Sequence, residues 1–164
     1  MTKRSSRMAL LLPMLLALPG GAREPAALCT GLPLPAPLGP KEFRGVLDSV
    51  AAGWNGDRPE AAALCFAETA VYLEPPDRQR YQGRAALLEF FAASVRPARP
   101  DRMRWHGVSF DSTRQTGFGE YTYRGRQNYH GVAVVRLDRG LIRSWREYQY
   151  GSPLQWEEFV GQSR

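Results

Sequence analysis

At Met103 the apolar period of the sequence changes from 3.6 residues to 2. Before that point apolar side chains recur at helical spacing, and after it they alternate as in strands with one covered face. A chain built this way puts helices first and an antiparallel sheet second. That order is the α+β pattern, and it excludes a helical bundle, a βαβ array and a repeat solenoid.

Phe43, Val46, Leu47, Val50 and Trp54 form one apolar helical stripe, which Gly56 ends. Asp57, with Glu60 three residues on, reads as the cap of a second short helix whose body is Ala61 to Phe66. Ala70 to Leu73 reads as a short strand stopped by Pro75-Pro76. Gly83 precedes a third helix, from Arg84 to about Val95, whose inner face is Leu87, Leu88, Phe91 and Val95; Pro97 and Pro100 prevent its continuation. Strands follow at roughly 103–112, 117–124, 128–137 and 141–149, and a last short helix carries Trp156, Phe159 and Val160.

The ends differ from this body. Lys3, Arg4 and Arg7, then an apolar run from Met8 to Leu18, then Gly20-Gly21-Ala22 have the layout of a secretory signal peptide over residues 1–22. The run is too short to span a bilayer, which takes about 20 residues. Export to a secreted or periplasmic location is therefore expected; a misplaced start codon and a cytoplasmic protein are the alternative. Residues 23–39 carry Pro25, Pro33, Pro35 and Pro37 and read as an extended linker, leaving 40–164 as one domain.

Of the two cysteines, Cys65 lies in a helical apolar run and reads as a small buried hydrophobe; a disulfide to Cys29 is the less favoured fate. The formal charge of +6 invites a nucleic-acid reading, but half of it belongs to residues 1–22, and the remainder balances 19 basic against 16 acidic groups. Neither a nucleic-acid partner nor membrane attachment after signal removal is expected. His106 and His130 stand apart with no carboxylate cluster at ligand spacing, so no metal site or cofactor is expected; His130 reads as a structural histidine.

Strand alternation sorts the candidate site residues. A three-residue loop at Asp138-Arg139-Gly140 pairs Leu137 with Leu141, Ala133 with Trp145 and Gly131 with Glu147. Tyr129, Gly131, Ala133, Arg143, Trp145 and Glu147 then share one face, and His130, Val132, Val134, Ile142, Ser144, Arg146 and Tyr148 the other. A two-residue turn at Gly125-Arg126 is favoured because a leading glycine suits type II′, and it adds Glu120 and Thr122 to the Glu147 face. A three-residue loop would put Tyr121 and Tyr123 there instead, since a slip of one residue flips every side chain.

Four stretches carry a resemblance over about residues 40–162: Trp54-Asn55-Gly56-Asp57, Phe66-Ala67-Glu68-Thr69-Ala70-Val71-Tyr72, Gly83-Arg84-Ala85-Ala86, and Gly140 through Tyr148. The chain resembles the nuclear transport factor 2-like superfamily, and within it the SnoaL-like group. The resemblance implies a curved, mostly antiparallel sheet wrapped by the N-terminal helices into a cone, the cystatin-like α+β roll. It also implies a cavity for a small, partly apolar molecule, and a homodimer formed through the sheet. Glu147 in Trp145-Arg146-Glu147-Tyr148 is placed like a catalytic aspartate of the limonene epoxide hydrolases, which puts its face inside the cone. Glu147 and Glu120 are then candidates for acid and base, with Trp54, Tyr72, Tyr129, Arg143 and Trp145 lining the cavity; the plainer alternative pairs each glutamate with an arginine. The second aspartate and nearby arginine of those hydrolases are missing from Gly119-Glu120-Tyr121-Thr122-Tyr123. The tyrosine–aspartate pair of the ketosteroid isomerases has no counterpart either. A cyclase-, isomerase- or hydrolase-type enzyme and a non-catalytic binding or dimerisation module are both compatible with this pattern.

Overall fold

The computed structural model describes residues 28–56, 58–74, 79–94, 102–125 and 128–161. The signal-peptide segment, the Asp57 cap, the Pro75-Pro76 and Pro97/Pro100 stops and Arg126 lie outside them. Three helices, α1 (Pro40–Asn55), α2 (Pro59–Ala63) and α3 (Arg84–Ser94), are interleaved with β1 (Phe66–Glu74) and β2 (Gln79–Gln82). Four strands follow, β3 (Met103–Asp111), β4 (Thr116–Arg124), β5 (Asn128–Asp138) and β6 (Leu141–Ser152), and then α4 (Trp156–Phe159). The period change at Met103 coincides with the start of the meander.

The six strands make one curved sheet in the order β2-β1-β6-β5-β4-β3. All neighbours are antiparallel except β1 and β6, which run parallel. β1 is longer than Ala70–Leu73, and β2 is a four-residue polar strand that pairs with its end. α1 seats on one face of the sheet because Gly117 and Gly119 leave room there. A Cβ at Gly117 would meet the Phe43 ring, and one at Gly119 would meet Trp105 and Leu47. Trp105 Nε1 donates to the Leu47 carbonyl at 2.9 Å, fixing the helix along the strands. Asn55 closes the end of α1 by pairing both ways with the Met103 backbone, at 2.8 Å each.

The Pro-rich segment from residue 28 forms turns and bends without helix or strand, yet it is packed onto the domain. Leu28 and Leu38 are buried in the main core. Leu34 N–H donates to the Arg139 carbonyl, and the Gln115 side chain pairs with both backbone groups of Leu38. Arg84 donates to the carbonyls of Phe66 and Gly31, tying the segment to α3 and β1. Cys29 and Cys65 form a disulfide across 36 residues, so Cys65 is a cross-link and not the free apolar filler its sequence context suggested. The reason is tertiary: the packed segment brings Cys29 to 4.5 Å from Cys65, Cα to Cα. Closing a loop of this length stabilises a fold by about 4 kcal/mol in the chain-entropy picture. Cys29→Ser with Cys65→Ser should lower the unfolding free energy by roughly 2–4 kcal/mol in urea titrations, and reductant should move the native protein to the same value.

Candidate functional site

Two turns decide which side chains meet. Asp138 pairs with Leu141 around Arg139-Gly140, both at positive φ, so this turn has two residues and not three. A bulge between Arg136 and Leu137 on one side, and Ile142 and Ser144 on the other, then shifts the register. Ala133 faces Glu147, Val135 faces Trp145 and Gly131 faces Gln149, each two residues from the expected pairing. A slip of two preserves facing, so Tyr129, Gly131, Ala133, Trp145 and Glu147 remain on one face. Arg143 does not: it is the extra residue of the bulge, and it is exposed while Leu141 and Ile142 are buried.

At the β4–β5 turn Arg124 pairs with Asn128, leaving three residues between them, so the favoured two-residue turn is not formed. Tyr121 pairs with Gly131 and Tyr123 with Tyr129, while Glu120 pairs with Val132 on the opposite face. The Glu120 carboxylate lies over Gly107 on the neighbouring strand, so the expected Glu120–Glu147 pair does not assemble.

What Glu147 meets instead is built from three strands. Tyr72 of β1 donates to Oε1 at 2.5 Å. Trp145 Nε1 of β6 and Tyr121 hydroxyl of β4 donate to Oε2 at 3.2 and 3.3 Å. Tyr121 reaches across β5 because Gly131 lies beneath it; a Cβ there would sit 3.0 Å from its hydroxyl. The Trp145 and Tyr72 rings stack nearly parallel beside the carboxyl. A second buried carboxyl, Glu74, accepts from Gln149 Nε2 at 2.9 Å, and Gln149 Oε1 lies 3.5 Å from the Tyr121 hydroxyl.

These groups line a cavity of about 150 Å³. Val50 and Trp54 of α1, Phe90 of α3, Met103 of β3 and Tyr123 supply its apolar wall, and Gln79 and Ser94 complete it. Of the expected lining residues, Trp54, Tyr72 and Trp145 border this cavity, and Tyr129 and Arg143 do not. Glu74 and Gln149 were missed, though alternation from Tyr72 and from Glu147 puts each on this face; Tyr121 enters through the three-residue loop that was the less favoured alternative. Among the described residues no histidine, lysine or arginine lines the cavity, and none of them forms an ion pair with Glu147.

Burial is the main cause that pushes the Glu147 carboxyl above the ordinary carboxylate range, and repulsion from Glu74 adds to it. The donors from Tyr72, Trp145 and Tyr121 oppose this shift without cancelling it. Both tyrosines are held well above their ordinary value by burial first and by Glu147 second, so they serve as neutral donors. Among the described residues, no three histidine, cysteine or carboxylate side chains come together to hold a metal ion.

A helix-wrapped curved sheet around such a cavity defines the cystatin-like, nuclear transport factor 2-like class. The SnoaL-like domain family matches residues 46–145, and the chain belongs to that family. No curated protein matches the sequence significantly. Among solved structures, a protein of unknown function with a cystatin-like fold from Methylobium petroleophilum PM1 is similar at TM-score 0.61 and 18% identity, over 77% of this chain and 93% of that one. A putative ketosteroid isomerase from Kribbella flavida is similar at TM-score 0.56 and 19% identity, over 73% and 87%. An epoxide hydrolase of M. tuberculosis, described as LEH-like, is similar at TM-score 0.52 and 15% identity, over 64% and 80%. These likenesses carry the fold alone.

A carboxyl whose pKa is raised on folding favours the folded state fully below its unfolded pKa, and that contribution is lost as pH rises through the folded value. Stability of the native protein should therefore fall between the ordinary carboxylate range and the raised pKa of Glu147. Glu147→Gln should remove that component of the pH dependence in urea titrations followed by tryptophan fluorescence. An unchanged profile would show that Glu147 is ionised as easily folded as unfolded.

Proposed function

We propose that the cavity binds a small, partly apolar molecule and that Glu147 moves a proton on it, in an isomerisation or cyclisation without net oxidation. One observation carries this reading: a buried carboxyl with raised pKa, set in the wall of an aromatic cavity and without a compensating cation among the described residues. A carboxyl held above its ordinary pKa is a stronger base than a solvated one, suited to accept and return a proton. Tyr72 and Tyr121 hold its position, and the apolar wall takes the body of the substrate. Hydrolysis of an epoxide fits less well, because no aspartate or arginine stands beside Glu147 among the described residues of the lining.

A non-catalytic binding module is the second reading. It is favoured by the three donors already bound to Glu147, which leave the carboxyl few free lone pairs. Small enolisable ketones and polyketide-like aromatics, screened by thermal shift, distinguish the two. For a stabilising ketone, exchange of its acidic C–H with D2O should be catalysed by the native protein. Glu147→Gln should slow that exchange by about 10²–10⁴-fold while still binding. Binding with equal exchange in both proteins selects the module, and a screen without any stabilising ligand overturns both readings.

We also propose a homodimer through the opposite sheet face. Phe118 and Tyr148 are 45% and 46% exposed there, beside half-buried Val132 and Val134. Glu120 and Arg146 stand at diagonal corners of this patch, and neither side chain has an ion pair among the described residues. A twofold axis in the interface, across that diagonal, lays Arg146 of one copy over the partner's Glu120. Val134→Arg should give a monomer in sedimentation runs, and Glu120→Arg alone should weaken the dimer more than Glu120→Arg with Arg146→Glu. A native protein that sediments as a monomer at micromolar concentration sinks this proposal.

Export completes the proposal. The Cys29–Cys65 disulfide supports an oxidising, extracytoplasmic compartment, in keeping with the signal-like segment.

A further inference from the structure

On the face of the sheet away from Glu147, the chain after β6 folds back over the ends of β3, β4 and β5. Trp156 stacks on His106 at 4.0 Å between centroids, and Phe159 packs on His130 at 4.4 Å. Between this segment and the strands lies a second cavity, of about 330 Å³. Arg104 and Arg124 line it, together with His106, Thr122, Trp156 and Glu157.

Its electrostatics are opposite to those of the Glu147 cavity. Neither the Arg104 nor the Arg124 guanidinium has a hydrogen bond or ion pair among the described residues. Glu157 shares the wall without pairing to either, so the described lining carries one net positive charge while His106 is neutral. That balance suits a monoanion better than a dianion. The volume exceeds what a bare oxyanion fills, and Trp156 offers an apolar surface.

His106 adds a proton at the same place. The Leu154 carbonyl can only accept, so His130 carries its proton on Nε2, 3.0 Å away. When its Nδ1 bears no proton, that nitrogen accepts from the Thr122 hydroxyl, at 2.9 Å. With its one proton committed, Thr122 Oγ1 must accept from His106 Nε2, at 2.8 Å. With His130 Nδ1 unprotonated, this chain of bonds gives His106 the Nε2–H tautomer and leaves its Nδ1 without a partner among the described residues. Protonation of His106 therefore occurs at Nδ1 and turns that atom into a donor.

We propose that this cavity is a second ligand site, for a small organic carboxylate whose oxygens pair with Arg104 and Arg124 and whose apolar body lies against Trp156. Binding takes up a proton at His106 Nδ1. The free imidazole is held below its ordinary pKa by burial and then by Arg104, with His130 adding to this and Glu157 opposing it. The Glu120 carboxylate, over Gly107 on the same face, is the other charge beside this strand. A bound carboxylate adds a negative charge and raises the His106 pKa, so by linkage affinity rises as pH falls through the bound and free values.

The test is isothermal titration of the full chain with benzoate, acetate and inorganic phosphate, at fixed ionic strength. Benzoate should bind more tightly than acetate or phosphate. Arg104→Gln with Arg124→Gln should weaken it by about tenfold or more, and Glu157→Gln should tighten it. Affinity should increase from about pH 7.5 to about pH 5.5, with buffer-dependent heats that report proton uptake, and His106→Gln should abolish that dependence while binding persists. All three variants alter exposed or half-buried side chains, and circular dichroism checks their folding. Equal affinity for the three anions overturns the organic-acid specificity and leaves an adventitious ion only. Absence of benzoate binding, or binding lost in Glu147→Gln and retained in the double arginine variant, overturns the site.

Discussion

The buried carboxyl of Glu147 is the constraint around which this fold is organised. An acid removed from water needs partners, and here they come from strands that are far apart in sequence. Tyr72 is on β1, Tyr121 on β4, and Trp145 and Glu147 on β6. These donors converge only if β1 pairs parallel with β6 and if β5, between β6 and β4, carries a residue with no side chain at the crossing. Gly131 meets that second condition. The parallel pairing also places the Tyr72 ring against Trp145, so one strand contact supplies both a donor and the apolar surface that desolvates the acid.

The two faces of the sheet have divided their chemistry. The helix-covered face holds Glu147 and Glu74 among aromatic side chains, with no cation among the described residues of the cavity wall. The other face carries Arg104, Arg124 and two histidines, closed by the chain that follows β6. Because strand residues alternate, a single strand serves both: on β4, Tyr121 points to the acid and Thr122 to the histidines. Substitution on one face therefore leaves the other face's hydrogen bonds intact, which makes the two sites separable by mutation.

Parity was legible in the sequence; register was not. The faces of β5 and β6 follow from alternation, and that survives an error of two residues in pairing. The bulge left no signal before folding except the adjacent pair Leu141-Ile142, both buried, and it is what removed Arg143 from the site. At Gly125 the choice between two and three loop residues decided everything on β4, and a leading glycine does not distinguish them. β2 escaped notice because its four residues alternate around a single aromatic, Tyr81, and draw their order from β1. The parallel β1–β6 contact has no local sequence signature, so Glu74 could be placed near Glu147 only once that pairing was known.

The proline-rich segment illustrates the same difference between local and tertiary causes. Its prolines forbid helix and ladder, and composition alone then reads as a linker. Leu28, Leu34 and Leu38 are spaced too irregularly to announce a packed element, yet each finds apolar cover, and backbone groups between them bond to Arg139, Gln115 and Arg84. A segment without helix or strand must borrow its hydrogen bonds from the surface it crosses. Once that surface fixes the path, Cys29 lies over Cys65 and the disulfide follows as a consequence of the packing. The cross-link then restricts the unfolded chain more than it shapes the folded one, so its removal should weaken the domain while leaving the Glu147 cavity, built from other elements, unchanged in form.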